Sequence, residues 1–350
     1  MTDSYWVSPR EANILITGRC NLTCRHCSVN SHGALRRDLP LSAWIEILDK
    51  LVSNKLIKLT VTGGEPLARP DFTDFIKEIA ARPFRFSINT NATLITPSVI
   101  ETVVKTSAHL NEFMISLDGP DQETVDAQRG RGVFGKLVTG VGKLRAAGLP
   151  FGFYCTVTSL NAHRLHQTAQ LARALGGEWI KFNSFLLAGP GLNEAMIPSR
   201  EQLEVSVAGL EAMKASHGSF IQGTVLDMRE RACKFLRNEI PESSDRAYRC
   251  GGGTGRISVF PDGSVTPCDH LPEIILGNLA SGESLQSILQ GPAMKKFSTF
   301  LQRTRSSNPE CSSCRYLPWC SGGCPVEGIS AAAGTGKDRS SCLKLALENL

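Results

Sequence analysis

Between about residues 13 and 190 the chain alternates short β-rich runs with amphipathic helical runs, and this alternation constrains the fold more than any other feature. Residues 14–17, 58–62, 85–89, 113–117, 151–158 and 179–187 read as strands. Helices are expected over 42–54, 72–81, 97–106, 135–147 and 162–175. Ser42 reads as an N-cap, Pro97 as a first-turn proline, and Gly148 and Gly176 as helix terminators. Six β/α pairs with short links predict an α/β fold whose parallel sheet curves into a partial (β/α)6 barrel. In such a fold the loops at the C-terminal ends of the strands carry the function.

The texture changes after residue 190. Residues 191–245 read as a helical bridge, with helices near 199–216 and 226–238. From Cys250 onward the chain is loop-rich. Gly251-Gly252-Gly253 opens a loop, and 256–260 and 264–267 flank Pro261-Asp262-Gly263, a hairpin turn signal. Three units follow: 1–190 as the barrel, 191–245 as the bridge, and 246–350 as a small cysteine-bearing domain. Residues 1–12 contain no apolar signal segment, and no apolar run is long enough to span a bilayer. The expected location is the reducing cytoplasm, where the 12 cysteines serve metals or catalysis rather than disulfides. A net charge of +5 without a sustained Lys/Arg run gives no support for nucleic acid or a membrane surface as partner.

The first cysteines form the run Cys20-x3-Cys24-x2-Cys27, directly after the first strand. Three thiolates can hold three corners of a four-iron, four-sulfur cube and leave the fourth iron open to a chelating small molecule. Zinc is the competing reading, with His26 or His32 as its fourth ligand, although x3–x2 is not the usual paired knuckle spacing.

The run resembles the signature of the radical S-adenosylmethionine (radical SAM) family, whose core is a TIM-like partial barrel. Further motifs occur in the family's order after successive strands. Gly63-Gly64-Glu65-Pro66 resembles the segment that binds the methionine amino group. His26 holds the position next to the adenine. Ser87, Asn89 and Asn91 match polar positions facing the cofactor. Ser116 and Asp118, in Ser-Leu-Asp-Gly, match the ribose-side motif, and Arg129-Gly130 matches an arginine that pairs with the methionine carboxylate.

The later cysteines resemble the SPASM domain, a C-terminal extension with two auxiliary four-iron clusters, so three 4Fe-4S clusters are implied. By that resemblance Cys311, Cys314, Cys320 and Cys342 ligate the outer auxiliary cluster, and Cys250, Cys268 and Cys324 the inner one. The sulfatase-maturing branch has a further cysteine shortly after the first. Here Gly251 to Arg256 contain no thiol, so the inner cluster either has an open iron or takes Cys233 from the bridge. Cys155 reads as a core residue. Asp269, next to Cys268, matches a general base of the sulfatase-maturing enzymes, and reads equally well as a loop-holding residue. His270, Glu273, Tyr154, Lys181 and Asn183 are candidate pocket residues.

The resemblance implies an oxidoreductase that uses S-adenosylmethionine to generate a 5′-deoxyadenosyl radical and take hydrogen from a substrate. Two substrates are consistent with it. One is a ribosomal peptide that gains a thioether, C–C or C–O link. The other is a small molecule or protein side chain that is dehydrogenated or rearranged. A low-potential flavodoxin or ferredoxin is the expected reductant. With the barrel starting at Ile14, a peptide leader is expected to need a separate recognition protein or direct docking.

Overall fold

A computed structural model describes residues 9–28, 37–186, 194–224, 237, 250–307, 312–314, 324 and 326. Strands β1 (Glu11–Leu15), β2 (Lys58–Thr62), β3 (Arg85–Thr90), β4 (Leu110–Ser116), β5 (Phe151–Val157), β6 (Ile180–Ser184) and β7 (Ile221–Gln222) lie side by side in chain order, all parallel. Helices α1 (Leu41–Ser53), α2 (Phe72–Ala80), α3 (Pro97–Lys105), α4 (Gln122–Arg129), α5 (Val133–Ala146) and α6 (Leu165–Ala174) fall in the connections between them, and α7 (Arg200–His217) follows β6. The sheet is open rather than closed.

The two faces of the sheet differ because successive side chains point to opposite sides. Ile14, Leu59, Val61, Phe86, Ile88, Phe113, Ile115, Phe153 and Phe182 lie on one face, in a single core with Trp44, Leu48, Phe75 and Ile79 of α1 and α2. The other face is polar at most positions and includes Asn13, Thr60 and Ser87 in one register, and Tyr154 and Lys181 in another. A strand buried on both faces reads as continuously apolar. The alternation therefore marks a sheet with one apolar face packed in the core and one face lined mainly by polar side chains.

The C-terminal hairpin, expected as part of a separate unit, joins this sheet. Strand β8 (Arg256–Val259) pairs in parallel with β1, and β9 (Ser264–Thr266) and β10 (Gly277–Asn278) continue the sheet in antiparallel fashion. The strand order is β10-β9-β8-β1-β2-β3-β4-β5-β6-β7. Helix α4 was not expected from periodicity. Its buried positions include Thr124, Gln128 and Arg129, so a polar face is the buried one. The expected helix at 162–175 begins as a 3₁₀ turn, Ala162–Arg164, before α6. The expected helix near 226–238 lies outside the described residues. Among the described residues no helix is long and apolar enough to cross a membrane.

Candidate functional site

The chain leaves β1 at Leu15 and enters the cysteine loop. Arg69, buried at 5% exposure, donates from Nη1 to the Ile16 carbonyl (2.6 Å) and from Nη2 to the Leu39 carbonyl (3.0 Å). Both ends of the loop are thereby fixed to one guanidinium, which Asp71 neutralises at 2.6 Å. Asp38 accepts from Thr17 Oγ1 (2.6 Å) and from the Gly18 backbone N–H (2.9 Å). The Leu39 N–H donates to the Pro261 carbonyl at 2.9 Å, so the loop exit is also tied to the C-terminal hairpin.

Gly63 and Gly64 form the floor beneath this loop. The Gly64 N–H donates to the Thr17 carbonyl (3.0 Å) and the Glu65 N–H to the Arg19 carbonyl (2.8 Å). A Cβ on Gly63 would collide with the Thr17 carbonyl, and one on Gly64 with the Arg19 carbonyl. Backbone against backbone is the reason for glycine at both positions. Gly64→Ala is expected to displace the cysteine loop at a cost of about 1–3 kcal/mol, measured by urea unfolding, with iron uptake reduced in parallel.

Glu65 turns inward. Its carboxylate accepts from Thr90 Oγ1 (2.7 Å) and from the backbone N–H of Asn91 (2.8 Å) and Leu67 (3.2 Å). Pro66 follows it into a short 3₁₀ turn. Burial outweighs these donors and pushes the Glu65 carboxyl up to about 7, above its ordinary 4.5. The folded state then holds a proton that the unfolded chain releases. The contribution of Glu65 to stability is present below about pH 4.5 and is lost as pH rises through about 7. A melting-temperature series should show this decline between those values, and Glu65→Gln should flatten it.

Asp118, fully buried at the end of β4, organises the opposite wall. Its carboxylate accepts from Arg129 Nε (2.6 Å) and from the Thr156 N–H (2.8 Å), and lies 3.1 Å from His26 Nε2. Although burial alone would raise it, Arg129 and His26 hold the Asp118 carboxyl well below the usual range, and Asp118 in turn raises Arg129. Arg129 also directs Nη1 towards Cys24 Sγ at 3.9 Å. This guanidinium, expected from the resemblance to meet a ligand carboxylate, is thus already paired through its Nε edge.

Gln128, which sequence reasoning missed, is completely buried. It donates from Nε2 to the Asp118 carbonyl (2.7 Å) and accepts from Thr158 Oγ1 (2.7 Å). Its own backbone carbonyl accepts from Arg25 in the cysteine loop at 2.9 Å. Asn161 donates to the Asp118 and Thr156 carbonyls (3.0 and 2.8 Å). The Thr158-Ser-Leu-Asn161 turn was the available signal, since Asn at such a position commonly bonds nearby backbone.

Just past β3, Asn91 donates to Asn21 in the cysteine loop (3.0 Å), and on β3 Asn89 donates to Thr62 (3.3 Å). Ser87 sits two residues deeper with a buried, unpartnered hydroxyl. Ser116 is half-buried at the last position of β4.

Cys20, Cys24 and Cys27 are all partly exposed and within electrostatic reach of one another. Burial is the main cause that pushes the Cys20 thiol up to about 11 and also raises Cys24. His26 Nδ1 is buried and unpartnered. Among the described residues no three His, Cys, Asp or Glu side chains converge on a single ion. His32 lies outside the described residues.

In the C-terminal part, Cys250 and Cys268 flank the β8–β9 hairpin. The Gly252 N–H donates to Cys250 Sγ at 3.4 Å. Burial raises the Cys268 thiol, with Asp269 and Cys324 adding to it. Asp269 Oδ1 accepts from Cys268 Sγ at 3.4 Å, which places the carboxylate at the thiol. His270 Nδ1 is buried and unpartnered, and Glu273 is exposed. Cys155 is fully buried in the core. Cys314 is described and partly exposed, whereas Cys233, Cys311, Cys320 and Cys342 lie outside the described residues.

Residues 14–172 match the profile of the radical SAM superfamily, and residues 250–315 match SPASM, an iron–sulfur cluster-binding domain. The AdoMet-dependent heme synthase of Nitratidesulfovibrio vulgaris is 30% identical over 88% of this chain and 85% of its own. The PqqA peptide cyclase of Gluconobacter oxydans is 28% identical over 74% of this chain and 70% of its own. The crystal structure of Streptococcus suis SuiB bound to S-adenosylmethionine shares the fold, with a TM-score of 0.74 at 18% identity, covering 96% of this chain and 77% of that one. The family's cofactors are S-adenosylmethionine and four-iron, four-sulfur clusters, and the clustered thiols together with the orphaned His26 Nδ1 fit them. Likeness of this extent along both chains reflects common descent, and this protein is a radical SAM enzyme, a member of the radical SAM superfamily with a SPASM domain.

Proposed function

We propose that this enzyme modifies a ribosomally made peptide, forming a thioether, C–C or C–O link. In this reading Cys20, Cys24 and Cys27 hold the catalytic cluster. Gly63, Gly64, Glu65, Pro66, His26, Asn89, Asn91, Ser116, Asp118 and Arg129 shape the S-adenosylmethionine pocket, with Ser87 at its lower edge. Cys250, Cys268 and Cys324 hold the inner auxiliary cluster, and Cys311, Cys314, Cys320 and Cys342 the outer one. When bound, these groups supply one-electron cleavage of S-adenosylmethionine to a 5′-deoxyadenosyl radical that removes hydrogen from a C–H bond. The division at 1–190, 191–245 and 246–350 then separates radical generation, a bridge and auxiliary redox chemistry.

The observation that carries the reading is the pairing of β8 with β1. It sets the strand flanked by Cys250 and Cys268 directly beside the strand that leads into Cys20. A substrate on the free face of the sheet lies between the two cysteine groups. Asp269, at the Cys268 thiol, is positioned to accept the proton that leaves when a substrate radical is oxidised. The peptide cyclase relative supports a peptide substrate. A flavodoxin or ferredoxin as reductant, and a separate leader-recognition protein, complete the proposal. A second reading, action on a small molecule, is favoured by the heme synthase relative.

Anaerobic co-expression with a short peptide encoded beside the gene, followed by mass measurement, tests the proposal. The expected result is a loss of two hydrogens that disappears in Cys20→Ala. In Cys268→Ala the enzyme should still release 5′-deoxyadenosine but leave the peptide unmodified. An unchanged peptide mass with active wild-type enzyme would favour the small-molecule reading.

A further inference from the structure

One row of residues crosses the free face of the sheet. Thr266, Ser258, Asn13, Thr60, Ser87 and Glu112 are register partners on β9, β8, β1, β2, β3 and β4. The two ends of the row are engaged by protein. Thr266 Oγ1 donates to the Cys268 carbonyl at 2.8 Å, and Glu112 Oε2 accepts from the Trp179 indole N–H at 2.7 Å.

The four residues between them are different. Ser258 and Ser87 are 0% and 1% exposed, and their hydroxyls have no hydrogen-bond partner. Asn13 is 8% exposed. Neither its amide nor the half-buried Thr60 hydroxyl bonds to another described residue. Buried polar groups are nearly always satisfied, because each orphaned one costs desolvation energy. Two buried, orphaned hydroxyls, Ser258 and Ser87, with the Asn13 amide and the half-buried Thr60 hydroxyl in register between them, form a polar strip suited to a hydrogen-bonding ligand.

The surroundings define that ligand. One step towards the N-terminal ends of the strands, Glu11 faces Arg256 (3.2 Å) and Lys58 (3.9 Å), so the nearest charges are already paired. The four central residues carry no charge, and the one carboxylate of the row, Glu112 at its far end, is held by the Trp179 indole N–H. Three strand spacings of about 4.8 Å make it roughly 14 Å wide, which matches about four residues of extended chain at ~3.3 Å each. One edge borders Asn89 and the cysteine loop, and the other reaches the strand next to Cys268.

We infer that Ser258, Asn13, Thr60 and Ser87 form a substrate subsite that hydrogen-bonds a neutral, amide-bearing segment of about four residues. This rests on the peptide reading above, and the subsite is the place where the peptide crosses from the S-adenosylmethionine side of the barrel to the auxiliary side.

The test is the triple variant Asn13→Leu, Thr60→Val, Ser258→Ala in the full chain, reconstituted with iron and sulfide. None of these three residues belongs to the cofactor pocket, so substrate-free release of 5′-deoxyadenosine should be unchanged. The melting temperature should stay level or rise, since the replaced groups have no partners to lose. Saturation-transfer NMR with the blocked tetrapeptide N-acetyl-tetraalanine amide should show binding to wild type and none to the variant. N-acetyl-tetraaspartate amide should bind neither. The KM for a modified peptide should rise on the order of tenfold or more, the loss of two to three hydrogen bonds.

A melting temperature lower by several degrees would overturn the inference, because it would show that these groups are bonded within the protein. Equal tetrapeptide binding by variant and wild type would overturn it as well. A wild type that binds the tetrapeptide through the row yet modifies no peptide retains the subsite and ends the peptide reading. A peptide that is modified with unchanged KM in the variant does the reverse.

Discussion

Cys24→Ala is expected to abolish release of 5′-deoxyadenosine, by at least 10³-fold, on the order of removing a catalytic group that others cannot replace. Cys24 lies within electrostatic reach of Arg129, Asp118 and Cys27. On the proposed assignment its loss removes one of the three thiolates that hold the cluster, and it leaves Arg129 Nη1 without its sulfur contact. The measurement is chromatography of the nucleoside products after dithionite reduction, alongside iron content per chain. The fold should survive, because the loop is fixed by Arg69, Asp38 and the Gly63-Gly64 floor rather than by the thiol. Circular dichroism unchanged from wild type would confirm this. Undiminished 5′-deoxyadenosine from the variant would end the assignment of Cys20, Cys24 and Cys27 to the radical-generating cluster.

Asp118→Asn is expected to be the most destabilising single change at the site. It leaves the Arg129 guanidinium buried without its counter-charge, and unpairing a buried ion costs about 3–5 kcal/mol. The expected fall in melting temperature is roughly 5 °C or more. S-adenosylmethionine binding should weaken in the same variant, because both Arg129 and His26 take their positions from this carboxylate. The double variant Asp118→Asn with Arg129→Gln should recover part of the stability and none of the binding. A single variant as stable as wild type would show that the buried pair contributes nothing to the fold.

Much of this architecture is legible in the chain itself. The second strand was expected at 58–62 and is observed at Lys58–Thr62. The sixth was expected at 179–187 and is Ile180–Ser184. These segments are apolar on alternate residues or nearly so, and local pattern is sufficient to define them. Helix α4 escaped because its buried face has a single apolar residue, Val125, beside Thr124, Gln128 and Arg129, and the burial of Gln128 and Arg129 depends on partners at Asp118, Thr158 and Arg25. The signal for burial there lies in the partners rather than in the helix.

The cofactor site divides in the same way. Cysteine spacing and the order of short motifs singled out Cys20, Cys24, Cys27, Glu65, Asp118 and Arg129, and the structure brings these residues close together. How they meet was not written in them. The two glycines are required by the carbonyls of Thr17 and Arg19, and Arg129 is held by Asp118 through its Nε edge.

By itself, then, the sequence determined the class of fold, the family and the chemistry, because spacing within a loop and periodicity within a strand are short-range properties. Tertiary structure alone decided that β8 joins β1, and that Ser258, Asn13, Thr60 and Ser87 stand in one row, with the buried Ser258 and Ser87 hydroxyls unbonded. Those residues are as much as 245 positions apart in the chain, 258 against 13. No local pattern couples such positions, and only strand pairing brings them into register.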